Sequence, residues 1–152
     1  VFERLIIITY LSILLGFFLS IDKEQLDQIL RKLKNRDGEV RSKAIVQLSE
    51  LKVMEAVDEL TKILYEDKDF LVRSHAAAAL GEMQVNGQEA VKALIETVKK
   101  DPIPSVRLEA VVALGNIGSP VVVEELTNVA LNDEDVRVRS WAAEALRKIK
   151  LH

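Results

Sequence analysis

Cysteine is absent from the 152 residues, tryptophan occurs once and histidine twice. Without cysteine there is no disulfide framework and no thiolate to act as nucleophile or metal ligand, although the compartment stays open. His75 and His152 form no ligand pair, the HEXXH pattern is missing, and neither a glycine-rich phosphate loop nor a nucleophile elbow is present. A basic excess is lacking too. Lys and Arg number 21 against 24 Asp and Glu, a net charge of −3, which opposes a surface built for a phosphate backbone. Strand-like alternation of useful length is also missing. What remains is an all-α chain with no cofactor or metal site to point to, read as a non-enzymatic protein.

The charge that is present is unevenly spread. Leu5 to Ile21 is a run without a single charged side chain, and every charged residue except Glu3 and Arg4 lies beyond it. This break divides the chain into residues 1–21, an apolar helix, and a domain over 22–152. As a helix, a run of that length reaches roughly 25 Å, close to the lower limit for crossing a bilayer core about 30 Å thick. The apolar side chains run all round that helix, with no polar stripe. The run reads as a membrane anchor; a cleaved secretory signal and a capping helix packed on the first repeat are the alternatives. Lys23, Arg31, Lys32, Lys34 and Arg36 follow it while Arg4 alone precedes it, which puts the domain on the cytoplasmic side. A soluble cytoplasmic protein is the alternative location. The chain opens on Val1 rather than Met, which reads as processing or truncation.

The domain repeats one phrase four times: Val-Arg-x-x-Ala-x-x-x-Leu, at Val40-Arg41, Val72-Arg73, Val106-Arg107 and Val138-Arg139. The longest step is the one from Arg73 to Arg107. A fixed period of roughly 33 residues marks a solenoid, whose units bury their apolar faces only against their neighbours. Around each arginine the apolar residues fall at −1, +3, +4, +7 and +10, the stripe of an amphipathic helix. Motif helices are therefore expected at about 39–51, 70–84, 104–117 and 135–150, and connecting helices at about 22–34, 55–66, 88–100 and 120–131. This makes about four antiparallel helix pairs. Gly118-Ser119-Pro120 supplies a helix stop, an N-cap and a first-turn proline.

Alanine at Arg+3 suits close helix approach, since a larger side chain would overpack the contact. Six positions before three of the arginines stand Asp67, Asp101 and Asp133. These and Arg41, Arg73, Arg107 and Arg139 read as a structural ladder, for which the planar guanidinium is suited. In the first copy Asn35 replaces the aspartate and Asp37 lies closer, so that rung is expected to be weaker or re-routed.

The pattern Asp-x-x-x-x-Val-Arg-x-x-Ala-x-x-x-Leu-Gly, nearly complete at Asp67–Gly81 and Asp101–Gly115, resembles the HEAT repeat, in the short variety of phycobilisome-lyase-like proteins. The resemblance covers about residues 22–152. It implies a curved right-handed stack of helix pairs, with the connecting helices on the concave face, in proteins that are mostly scaffolds for other proteins. Some members are di-iron hydroxylases needing several His-Glu pairs, and no His-Glu dipeptide occurs here.

Specificity then lies where the copies differ. At Arg+2 stand Lys43, His75, Glu109 and Trp141, which reads as an exposed position with His75 as a solvated surface residue. Trp141 either folds back to cap an open end or anchors a partner. The outward positions of the connecting helices, Asp58, Glu59, Lys62, Lys92, Glu96, Glu124, Glu125 and Asn128, form a mixed, mostly acidic candidate surface. The expectation is a non-enzymatic protein–protein interaction scaffold, membrane-tethered through residues 5–21, with an unidentified protein partner, no nucleic acid and no metal. A pigment-lyase-type subunit acting with a second protein is the enzyme-class alternative, and a nucleic-acid-binding repeat protein comes after it.

Overall fold

A computed structural model describes residues 22–150. The apolar segment expected to anchor the chain in a membrane therefore lies outside the described residues. Among those described, no helix is long and apolar enough to cross a membrane. They form eight α-helices and no strand. The motif helices are α2 (Gly38–Glu50), α4 (Phe70–Glu82), α6 (Pro104–Ile117) and α8 (Val136–Lys150). The connecting helices are α1 (Lys23–Lys32), α3 (Val57–Glu66), α5 (Gln88–Lys100) and α7 (Val123–Asn132). Short 3₁₀ turns at Met54–Ala56 and Pro120–Val122 lead into α3 and α7.

Local chemistry sets the ends. Asp22, Asp37 and Asp69 are extended N-caps whose carboxylates accept the backbone N–H of Gln25, Glu39 and Leu71. Pro104 opens α6, where its missing N–H leaves nothing unsatisfied. Lys52 and Gln84 adopt left-handed backbone after α2 and α4. The N–H groups of Val53 and Val85 then reach back to the carbonyls of Leu48 and Leu80, and both valines are buried. This is the Schellman ending with its apolar contact. Gly118 closes α6 in the same left-handed region at φ 69°, where a side chain would be strained. Ser119 makes no side-chain cap, contrary to the expectation for it.

The helices stack in two layers. Successive motif helices pack on one another, α2 on α4, α4 on α6 and α6 on α8, and each of α3, α5 and α7 packs on the motif helix that follows it. The recurring positions of the phrase become the core. Val72, Val106 and Val138, Ala44, Ala76, Ala110 and Ala142, and Leu48, Leu80 and Leu114 are all fully buried. Within the motif layer the approach is close: a methyl group at Gly81 would lie 2.5 Å from the Ala113 Cα, and one at Gly115 2.8 Å from the Ala145 Cβ. The connecting layer is looser. Grooves of about 560, 440 and 240 Å³ open between α1 and α3, α3 and α5, and α5 and α7. A stack whose units are narrower on one side bends toward that side, so the motif helices line the inner arc. This corrects the expectation that the connecting helices do.

Side-chain rungs join the units on their turn side. Arg41 donates from Nε and Nη2 to both carboxylate oxygens of Asp67, each at 2.7 Å, and from Nη1 to the Asn35 carbonyl at 2.8 Å. Arg73 does the same to Asp101 and the Asp67 carbonyl, and Arg107 to Asp133 and the Asp101 carbonyl. Each arginine thus bonds the backbone of its own turn and the carboxylate of the next. The same carboxylates accept the N–H of Asp69, Ile103 and Asp135, which holds the turn. Burial alone would raise the Asp67 carboxyl, but the hydrogen bonds from Arg41 and from the Asp69 N–H, with the charges of Arg41 and Arg73, hold it below its ordinary value. The first rung is complete, unlike the expectation for it, because Arg41 takes its carboxylate from the second turn. Asn35 keeps only the turn-holding bond, to the Asp37 N–H at 2.9 Å. The rung without a carboxylate among the described residues is the last: Arg139 bonds only the carbonyls of Asp133 and Glu134.

Candidate functional site

The Arg+2 positions fall on the exposed side of the motif layer, because Arg+3 and Arg−1 turn into the core. They place Lys43, His75, Glu109 and Trp141 in a row across α2, α4, α6 and α8. The four are not equally solvated. Lys43 is exposed and pairs with Glu39 one turn back. His75 and Glu109 are half-buried, and the His75 Nδ1 is shielded with no hydrogen-bond partner. The tight spacing of the inner layer causes this, since neighbouring helices cover side chains that a lone helix would leave in water. His75 is therefore not the solvated surface residue that its position among charged neighbours suggested.

Glu109 sits beside two other titratable groups. Burial pushes its carboxyl above the ordinary value; the His75 charge pulls it down and Glu82 pushes it up again. Glu82 accepts a 2.8 Å hydrogen bond from the Ser49 hydroxyl, which is itself buried. Ser49, His75, Glu82 and Glu109 thus gather on one face from three helices. Sequence reasoning missed Ser49, Glu82 and Glu109. The available signal was the repeat register, which puts positions one period apart on adjacent helices of one layer.

Trp141 ends the row with 43% of its surface exposed, so it is not folded away against the last helix. Phe70, Leu71 and Val136, at the starts of α4 and α8, are further exposed apolar groups. Arg137 pairs with Asp135 and Arg147 with Glu144, surrounding Trp141 with charge.

The acidic candidate surface lies on the other layer. Asp58 and Glu59 border the groove between α1 and α3 with Asp27, Arg31 and Lys34. Glu96 borders the groove between α3 and α5 and pairs with Lys100. Glu125 and Asn128 border the third, where Lys99 crosses from α5 to Glu125 at 3.0 Å. Lys62 approaches Glu66, while Lys92 and Glu124 are exposed. The structure therefore does not join Trp141 to these residues: they are on the outer arc and it is on the inner one. Among the described residues no group of three or more His, Asp or Glu is placed to hold a metal. The iron chemistry of some repeat proteins of this kind thus has no fitting donor set in the described region.

The HEAT-repeat family model matches residues 24–102 and 79–147. Among solved structures, human deoxyhypusine hydroxylase is 27% identical, with a TM-score of 0.71 over 84% of this chain. This chain spans 44% of the length of that one. The complex of CpcE and CpcF of phycocyanin lyase from Nostoc is 20% identical, with a TM-score of 0.73 over 90% of this chain and 89% of that one. These likenesses correct the expectation of a non-enzymatic protein, because the same stack serves in a hydroxylase and in a lyase. The missing catalytic motifs were a poor guide for a physical reason. A solenoid assembles a working face from positions a full period apart on separate helices, so short contiguous motifs need not appear.

Proposed function

Because the chain belongs to the HEAT-repeat family, we propose that it is the protein-docking repeat unit of an enzyme assembly, holding a partner chain along the inner face of its motif helices. The observation that carries this reading is the row from His75 through Glu109 to Trp141. It sets half-buried charge and one exposed indole on helices fixed by a close-packed core and bidentate rungs. Such a face costs little to organise on binding, because its supports are already rigid. Trp141, rimmed by Arg137, Glu144 and Arg147, has the composition of a binding anchor.

The likeness to CpcE and CpcF, two chains in one complex, supports a lyase-type subunit that acts with a second protein. The net charge of −3 disfavours nucleic acid as that partner. The reading does not require the membrane tether through residues 5–21. The outer-arc residues are assigned a solvated role, since Glu96, Glu125 and Lys62 are engaged by neighbours on their own layer.

The test is affinity purification from the native source with the wild-type chain, Trp141→Ala and the outer-arc variant Asp58→Lys/Glu124→Lys. Loss of an anchor costs about 2 kcal/mol, or roughly 30-fold in Kd. The partner should be lost with Trp141→Ala and retained by the outer-arc variant. The opposite pattern places the interface on the connecting helices and defeats the proposal.

A further inference from the structure

Helix α2 is the first motif helix described, and its core positions are incompletely covered. Val72, Val106 and Val138 are fully buried, whereas their counterpart Val40 is only half-buried. Ala79, Ala113 and Ala145 are buried at Arg+6, where the exposed Gln47 stands in α2. Val46 is 40% exposed. These residues border a groove of about 740 Å³, together with Lys43, His75 and Lys32 at the end of α1. Each later motif helix has such a surface covered by the motif helix before it. The groove on α2 is the seat of a motif helix that would precede α1.

The spacing of the chain places a segment there. Connecting helices begin at a near-constant distance from the starts of the motif helices they follow: Val57 after Gly38, Gln88 after Phe70, and Val123 after Pro104. The same spacing back from Lys23 reaches Arg4 and Leu5, the start of the uncharged run that ends at Ile21. In that register Gly16 occupies the place of Gly81 and Gly115, the glycines that admit the next helix at Ala113 and Ala145. The rung agrees as well. Arginines donate to carboxylates 26 or 28 residues ahead, so the donor for position 35 would lie at 7 to 9. Those positions hold Ile7, Ile8 and Thr9, and position 35 holds the neutral Asn35 instead of an aspartate. Donor and acceptor are missing together, as they must be where an unpaired buried charge would be costly.

We infer that residues 5–18 form the motif helix of an additional first unit, docked in the groove over Val40, Val46 and Gln47 with α1 as its connecting helix. The apolar run then completes the solenoid from inside the chain, and burial of Val40 and Val46 contributes to its stability.

The absence of cysteine makes cross-linking a clean test. In the full chain, Gly16→Cys/Gln47→Cys should form an intramolecular disulfide under mild oxidation, since the equivalent positions bring Cβ atoms within disulfide reach. Gly16→Cys/Lys92→Cys, which pairs the segment with the outer arc, should not. Because Gly16→Cys could disturb the contact, maleimide labelling of Gln47→Cys alone provides a second measurement. Adding Ile8→Asp and Leu15→Asp should speed that labelling by about tenfold or more, as expected when a covering element is released. Two results overturn the inference. One is a 16/47 pair that stays reduced with Gln47→Cys labelled at the same rate with and without the aspartates. The other is a chain that floats with phosphatidylcholine vesicles and leaves Gln47→Cys open to labelling.

Discussion

Replacing Arg107 by alanine probes the ladder most directly. The guanidinium is 5% exposed and donates to Asp133 twice at 2.9 Å, to the Asp101 carbonyl at 3.0 Å and to Glu134 at 3.2 Å. The Glu134 carboxylate is exposed, so that contact adds little. The Asp133 side chain is only 8% exposed, and without Arg107 it is left as a buried carboxylate with no cation. Breaking one side of a buried ion pair costs about 3–5 kcal/mol, most of it the unpaired charge. Arg139 offers an internal control, since it bonds only carbonyls among the described residues. Arg139→Ala should cost about 1–2 kcal/mol, in the range of hydrogen bonds to a charged group. Urea unfolding followed by circular dichroism measures both, and Arg107→Ala should lower Tm by on the order of 10–20 °C. Arg107→Met/Asp133→Leu should recover most of the loss, because both charges leave together. If Arg107→Ala is no worse than Arg139→Ala, the carboxylate pairing does not hold the units together and the ladder is refuted.

Three further outcomes follow from the packing and the charges. Gly81→Ala should destabilise by about 1–3 kcal/mol because its methyl meets the Ala113 backbone, whereas Gly87→Ala meets nothing within 4 Å and should be neutral or slightly stabilising; thermal melts of the two separate these cases. Glu109→Gln should raise Tm at pH 7, because burial disfavours the charged carboxylate and this penalty grows as pH rises through its raised folded value. The advantage should vanish below the ordinary glutamate value of 4.5. Asp67 behaves oppositely: its folded value lies below 3.8, so its contribution is present above that pH and is lost as pH falls through the folded value, and Asp67→Asn should flatten the acid limb of a stability-versus-pH curve.

Much of the architecture is already written along the chain. Valine, alanine and leucine at fixed offsets dictate helices with one buried face. The regular step from one arginine to the next dictates stacking, because each unit's stripe is too narrow to be buried alone. Helix ends are equally local, set by Asp37, Asp69, Pro104 and Gly118. Tertiary structure decided whatever depends on the spacing between units. Arg41 could have met Asp37, close by in the chain, and instead meets Asp67, 26 residues ahead, because stacking brings the next turn alongside. His75 and Glu109 have the composition of a solvated row until Gly81 lets α6 approach α4 and close around them. The inner arc was likewise invisible, since both layers have apolar stripes and only their separation determines which way the stack bends. A periodic sequence specifies the unit and its repetition; the distances between units, which depend on side chains a full period apart, determine where charge is buried and which face is offered to a partner.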